Sequence, residues 1–116
     1  MAAIFYVSSL PQAPLPAGVS DKWAHSAAYL GLAVTIVRAL AGGLPRRLSR
    51  GVIVAAIAIT CAYGATDEWH QRFVPGRTAD VDDLIADAIG ACAGAAACWV
   101  WGIISAHGHA RGPLRQ

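Results

Sequence analysis

Residues 67–83 read Asp67-Glu68-Trp69-His70-Gln71-Arg72-Phe73-Val74-Pro75-Gly76-Arg77-Thr78-Ala79-Asp80-Val81-Asp82-Asp83, with Asp87 one turn further on, between the apolar runs Gly51–Thr66 and Leu84–Ser105. Pro75-Gly76 is a strong turn dipeptide, so one helix is expected to stop near Phe73 and another to begin soon after Arg77. Thr78 or Asp80 can cap the second helix, and acids in its first turn face the positive end of the helix dipole, which is the ordinary account of Asp80, Asp82 and Asp83. Below them the spacing of Asp80, Asp83, Asp87, Gly90 and Gly94 puts all five on one helix face, acidic above and glycine below. Gly90 and Gly94 form a GxxxG pattern that permits close helix approach. Asp87 falls about one turn inside the apolar run, where an uncompensated carboxylate is costly, so it is expected to face a partner or a water-filled cavity.

Outward from this stretch the chain is apolar to a degree that excludes an ordinary soluble domain. Of 116 residues, 56% are hydrophobic and 14% charged, against about a quarter charged in typical domains. Nine Lys/Arg and seven Asp/Glu cannot cover the surface of so small a fold. A third apolar stretch runs from Trp23 to Leu44. As helices, it and Leu84–Ser105 reach about 33 Å, enough to cross a hydrocarbon core of about 30 Å. The stretch beginning at Gly51 spans only if its helix continues through Asp67, Glu68 and Trp69. The opening MAAIFYVSSL is about half a bilayer long and is ended by the proline-rich PQAPLP, so it reads as the remnant of a first span.

The expectation is therefore an all-α fold: a polytopic transmembrane helical bundle with three full spans (23–44, 51–69 and 84–105) plus a truncated N-terminal helix at 1–10. It forms a single domain over 1–116. The short connection GGLPRRLSR carries Arg46, Arg47 and Arg50 with no acid, and the tail holds Arg111 and Arg115. The basic loop 45–50 and the C-terminal tail are thus expected to be cytoplasmic, and Ser8–Lys22 and Asp67–Asp83 to face outward. The net charge of +2, without clustered basic residues on an exposed face, argues against nucleic acid as a partner. Cys61, Cys92 and Cys98 lie in apolar runs without metal-ligand spacing and read as packing residues.

Two further polar stripes lie at the same end of the bundle. Asp21, His25 and Tyr29 recur every four residues, with Lys22 beside His25, at the outer end of the first full span. Glu68 and Gln71 are three apart at the outer end of the second. Arg77 is the expected bidentate counter-ion for Glu68, Asp83 or Asp87. The candidate polar pocket comprises Asp21, Lys22, His25, Tyr29, Glu68, Gln71, Arg77, Asp80, Asp83 and Asp87. These residues either satisfy one another as polar glue or form a binding or catalytic site.

The runs DKWAHSAAY and YGATDEWHQRFVPGRTADVDDLIADAIGACAG resemble the signature of the VanZ-like family of small bacterial integral membrane proteins. Its pattern is DKxxH…Y, then E-x-x-Q-x-F-x-P-G-R, then D-x-x-x-N-x-x-G. The match places Asp21, Lys22, His25, Tyr29, Glu68, Gln71, Phe73, Pro75, Gly76, Arg77, Asp80, Asp83 and Gly90 on family positions, and FYVSSLP resembles the end of the family's first span, of a usual four. Asp87 stands where the family usually has Asn, which keeps an acceptor, removes a donor and adds charge, so the site calls for an extra proton or a cation. The resemblance implies residence in the bacterial cytoplasmic membrane and a link to resistance to teicoplanin, a lipoglycopeptide antibiotic. It brings no reaction with it.

The reading that follows is a multi-pass membrane protein with an outer-leaflet polar pocket. Its expected partners are membrane lipids, a lipid-linked envelope precursor or an amphiphilic antibiotic, and a second copy of the chain. No cofactor is required, with a divalent cation as an alternative. The competing function is a membrane-embedded enzyme using Glu/Asp/His acid-base or metal chemistry on a lipid-linked substrate. No HExxH, GxSxG or DxDxD-type motif supports a particular reaction. An ion or proton pathway through the same acids is the third reading.

Overall fold

A computed structural model of the chain describes residues 1–10, 17–43, 47–78 and 80–110. Among them are four α-helices and no strand: α1 (Ala2–Ser8), α2 (Asp21–Leu40), α3 (Arg50–Gln71) and α4 (Val81–Ala110). Each long helix begins on a side chain that accepts an otherwise orphaned backbone N–H. Ser20 Oγ accepts from Trp23 N at 3.4 Å and Ser49 Oγ from Val52 N at 3.2 Å. Asp80 Oδ1 accepts from Asp82 N at 3.0 Å, so of the two expected caps it is Asp80 that opens α4.

The helix ends differ from the expected spans for local reasons. The first apolar run was expected to be helical to Leu44, but α2 stops at Leu40. Gly42 and Gly43 have φ of 68° and 132°, and their N–H groups donate to Ala39 O (3.4 Å) and Arg38 O (2.8 Å). That is the paired bonding of a Schellman ending, which the two glycines make cheap. Leu44 lies outside the described residues. In contrast, α3 does continue through Asp67, Glu68 and Trp69, and α4 runs five residues past Ser105. Among the described residues two helices, Arg50–Gln71 and Val81–His107, are long and apolar enough to cross a membrane.

Helix directions follow from paired positions. Lys22 meets Asp82, Ser26 Oγ donates to Ala86 O at 2.8 Å, and Gly94 lies under Leu30, so α2 and α4 run parallel. Arg77, just beyond α3, meets Asp21, and Gly64 lies against Tyr29, so α3 is antiparallel to both. On the flank of α3, Tyr63 donates to Met1 O at 2.7 Å and the Phe5 ring lies 4.3 Å from that of His70. The short α1 is therefore parallel to α3.

The distribution of side chains is inverted relative to a soluble bundle. Buried positions include Ala33, Ala56, Ala86, Ala91 and Ala95, together with Thr60, Asp67, Glu68, Gln71, Asp83 and Asp87. Exposed positions include Trp23, Val54, Trp69, Ile85, Ile89, Trp99, Trp101 and Ile104. Water would penalise such an apolar exterior, whereas hydrocarbon favours it and drives polar groups inward. Small residues then let the helices approach until their backbones touch. A Cβ added to Gly90 would stand 2.2 Å from Ser26 O, and one added to Gly94 2.5 Å from Leu30 O. With no hydrophobic drive between helices in lipid, this close packing is what holds α2 to α4.

Candidate functional site

The starts of α2 and α4, the end of α3 and the 72–80 connection meet at one end of the bundle, and the ionisable side chains gather there. His25 sits between α2 and α4 with Nδ1 3.0 Å from Asp87 Oδ1; the two side chains are 10% and 1% exposed. The other Asp87 oxygen lies over Gly64, where an added Cβ would stand 2.9 Å from Oδ2. Gly64 on α3 thus makes the space that a carboxylate on α4 occupies. Tyr29, buried beside Gly64, lies ring-parallel to His25 with centroids 6.3 Å apart.

Glu68 Oε2 accepts from the backbone N–H of Asp80 at 3.1 Å, which ties the end of α3 to the cap of α4. Gln71 is fully buried, donates to Asp67 Oδ2 in a long 3.5 Å contact and accepts from Arg77 Nη1 at 3.4 Å. Gly76, at φ 80°, reverses the chain, and Arg77 N donates to Val74 O at 3.1 Å. This turn carries the Arg77 side chain toward α1 and α2. Its Nη1 lies 3.6 Å from Asp21 Oδ2 and its Nε 3.4 Å from Leu10 O.

That arrangement corrects the counter-ion expected for the acids. Arg77 pairs with Asp21 and not with Glu68, Asp83 or Asp87, because the reversal at Gly76 carries its side chain toward α1 and α2. Lys22 is likewise outside the cluster: it pairs with Asp82 at the exposed rim. Asp80 contributes through its backbone and as a cap. His25, Tyr29, Glu68, Asp83 and Asp87 are brought together, with Asp21 at the edge and Gln71 beside Arg77.

The sequence reading missed Asp67. It is 1% exposed, and its carboxylate faces the same space as Tyr29 and Arg77. Its signal was present, since Asp67 and Gln71 are four apart on one helix face. Three buried oxygens of the cluster have no hydrogen-bond partner among the described residues: Tyr29 Oη, Glu68 Oε1 and Asp87 Oδ2. Burying such atoms unpaired is unfavourable. Two trios bring metal-ligating atoms within 4.8 Å of one another: Asp21, His25 and Asp83, and His25, Glu68 and Asp87.

Beside the cluster is a cavity of about 250 Å³ between α1, α2 and α3. Ala3, Ile4, Val7, Ala24 and Ala28 form its apolar wall, and Asp21, His25, Tyr29, Asp67 and Arg77 its polar end.

The VanZ/LLP1 family model matches residues 5–102, from α1 through most of α4. The chain belongs to the VanZ/LLP1 family. The matched segment of this VanZ-like protein contains every residue of the polar cluster. No curated protein and no solved structure matches the chain.

Proposed function

We propose that this VanZ-like protein is a multi-pass protein of the bacterial cytoplasmic membrane that binds an amphiphilic, envelope-related molecule in its polar pocket. The observation that carries the reading is the cavity beside the cluster. One wall is aliphatic, suited to an acyl or prenyl chain, and one end offers a guanidinium, carboxylates, an imidazole and a phenol, suited to a polar head. A cavity of this size holds only part of a large amphiphile, so the remainder lies along the exposed apolar helix faces.

In this reading α2 is the third full span, because its 20 residues measure about 30 Å as a helix, the thickness of the hydrocarbon core. Arg47 and Arg50 lie on the cytoplasmic side by the positive-inside rule, and the polar cluster opens at the outer boundary. A lipid-linked envelope precursor meets the pocket at that depth, as does a lipoglycopeptide such as teicoplanin, whose resistance link the family resemblance implies.

Native mass spectrometry of the detergent-extracted protein tests the binding: a co-purified or added lipid-linked adduct is expected on the wild type and lost in Arg77→Gln. A wild type that retains no such molecule overturns it. Cysteines placed singly at Ser49 and Thr78, in a background without the native thiols, test the orientation. Thr78→Cys is expected to react with an impermeant thiol reagent in intact cells and Ser49→Cys to be shielded, and the reverse pattern inverts the topology.

A further inference from the structure

We propose that the inner end of the cluster is a divalent-cation site in which His25, Glu68 and Asp87 hold one first-row cation of the Mn²⁺ or Zn²⁺ type. Each ligand comes from a different helix, α2, α3 and α4, and their ligating atoms lie within 4.8 Å of one another. His25 Nδ1 and Asp87 Oδ1 are 3.0 Å apart. Two adjacent ligands about 2.1 Å from a six-coordinate metal stand about 3.0 Å from each other, so this pair already has the spacing of neighbouring ligands.

Glu68 Oε1 and Asp87 Oδ2 lack any hydrogen-bond partner among the described residues, although Glu68 is 4% and Asp87 1% exposed. No described Lys or Arg lies within ion-pair distance of either, because Arg77 is on Asp21 and Lys22 on Asp82. Two buried carboxylates sharing one imidazole leave negative charge that a cation neutralises at much lower cost than burial alone. The donor set then selects among cations. An imidazole with two carboxylates suits Mn²⁺ or Zn²⁺, whereas Ca²⁺ and Mg²⁺ favour sites built from oxygen alone. Three protein ligands leave positions open for water, and His25 lines the neighbouring cavity, which supplies an entry path.

The full-length chain, extracted in detergent and stripped with chelator, is titrated with Mn²⁺ followed by electron paramagnetic resonance, then competed with Zn²⁺. One Mn²⁺ per protein is expected, with a coupling to one imidazole nitrogen, displaced by Zn²⁺ in equal amount. Glu68→Gln and Asp87→Asn should each weaken binding by about 100-fold or more, at least what loss of a supporting residue costs. Absence of stoichiometric Mn²⁺ on the wild type, or Mn²⁺ without nitrogen coupling, overturns the site even where a variant fails to fold. Unchanged affinity in those two variants, with loss in Asp21→Asn and Asp83→Asn, moves the metal to the other trio and also overturns it. The inference stands apart from amphiphile binding: the titration reads Mn²⁺ alone, whereas the lipid adduct is read by mass spectrometry on the wild type, so either can fail without the other.

Discussion

Along the α2–α4 pair, the half beyond Gly90 is closed by backbone against backbone, whereas the half above it is held by ionisable side chains. At Gly90 and Gly94 a single added carbon would stand 2.2 and 2.5 Å from α2 carbonyl oxygens. Nothing there can rearrange, because the obstructing atoms belong to a helix backbone. Three or four residues further up, His25 and Asp87 fill the same interface with a 3.0 Å polar contact, and the other oxygen of Asp87 has no partner among the described residues. The lower half has the character of an interface built for stability. The upper half retains unmet polar groups in a buried setting, which is the character of a site.

This contrast is broken most severely at the lower half. Gly90→Ala should cost at least about 3 kcal/mol, the upper range for overpacking, since the clash is with backbone. Loss of a monodisperse species in detergent gel filtration, or a large fall in the thermal midpoint, is the expected readout; a midpoint close to wild type would show that the helices can part freely. Gly94→Ala should follow with a somewhat smaller loss.

Gly64→Ala sharpens the comparison from the other side. Its added carbon would meet Asp87 Oδ2 at 2.9 Å and Tyr29 Cε1 at 3.1 Å, both side-chain atoms. The chain should stay folded at a cost of about 1–2 kcal/mol, while Mn²⁺ affinity drops because Asp87 is displaced. Equal losses of stability in Gly64→Ala and Gly90→Ala would erase the distinction between the halves.

A smaller effect separates the partners of Arg77. A double-mutant cycle on thermal stability should give an interaction energy of about 0.5–1 kcal/mol between Asp21→Asn and Arg77→Gln, which face each other. The cycle between Glu68→Gln and Arg77→Gln should give about zero within error. Coupling in the second cycle alone would return Arg77 to Glu68. The smallest effect belongs to Lys22→Ala, where the pair with Asp82 is half-exposed at the rim; its thermal midpoint should match the wild type at any salt concentration.

Much of the cluster was legible because helical spacing is a local property. Asp83, Asp87, Gly90 and Gly94 step by three or four residues and do share the inward face of α4. The Asp21, His25 and Tyr29 stripe likewise keeps its order on α2. Arg77 was misassigned because it sits beyond a turn, where the direction of a side chain depends on the reversal at Gly76 and not on any period. Asp67 was overlooked because adjacent acids at the end of a helix point to different faces, and spacing to Gln71 alone does not say which face is covered.

What the sequence by itself determined is the set of properties that arise within a turn or two of chain. The abundance of apolar residues set an all-helical architecture with membrane-length helices, serines and an aspartate started the helices, and Gly42-Gly43 and Pro75-Gly76 ended or reversed them. The tertiary structure alone decided which helix faces which, and so which cation meets which acid. Electrostatic pairing depends on distances of a few ångströms between residues such as His25 and Asp87, which lie 62 positions apart, and no local pattern encodes that separation. The same packing decided that Glu68 and Asp87 each keep one buried oxygen unpaired among the described residues, because hydrogen-bond pairing is settled only once every neighbour has taken its place.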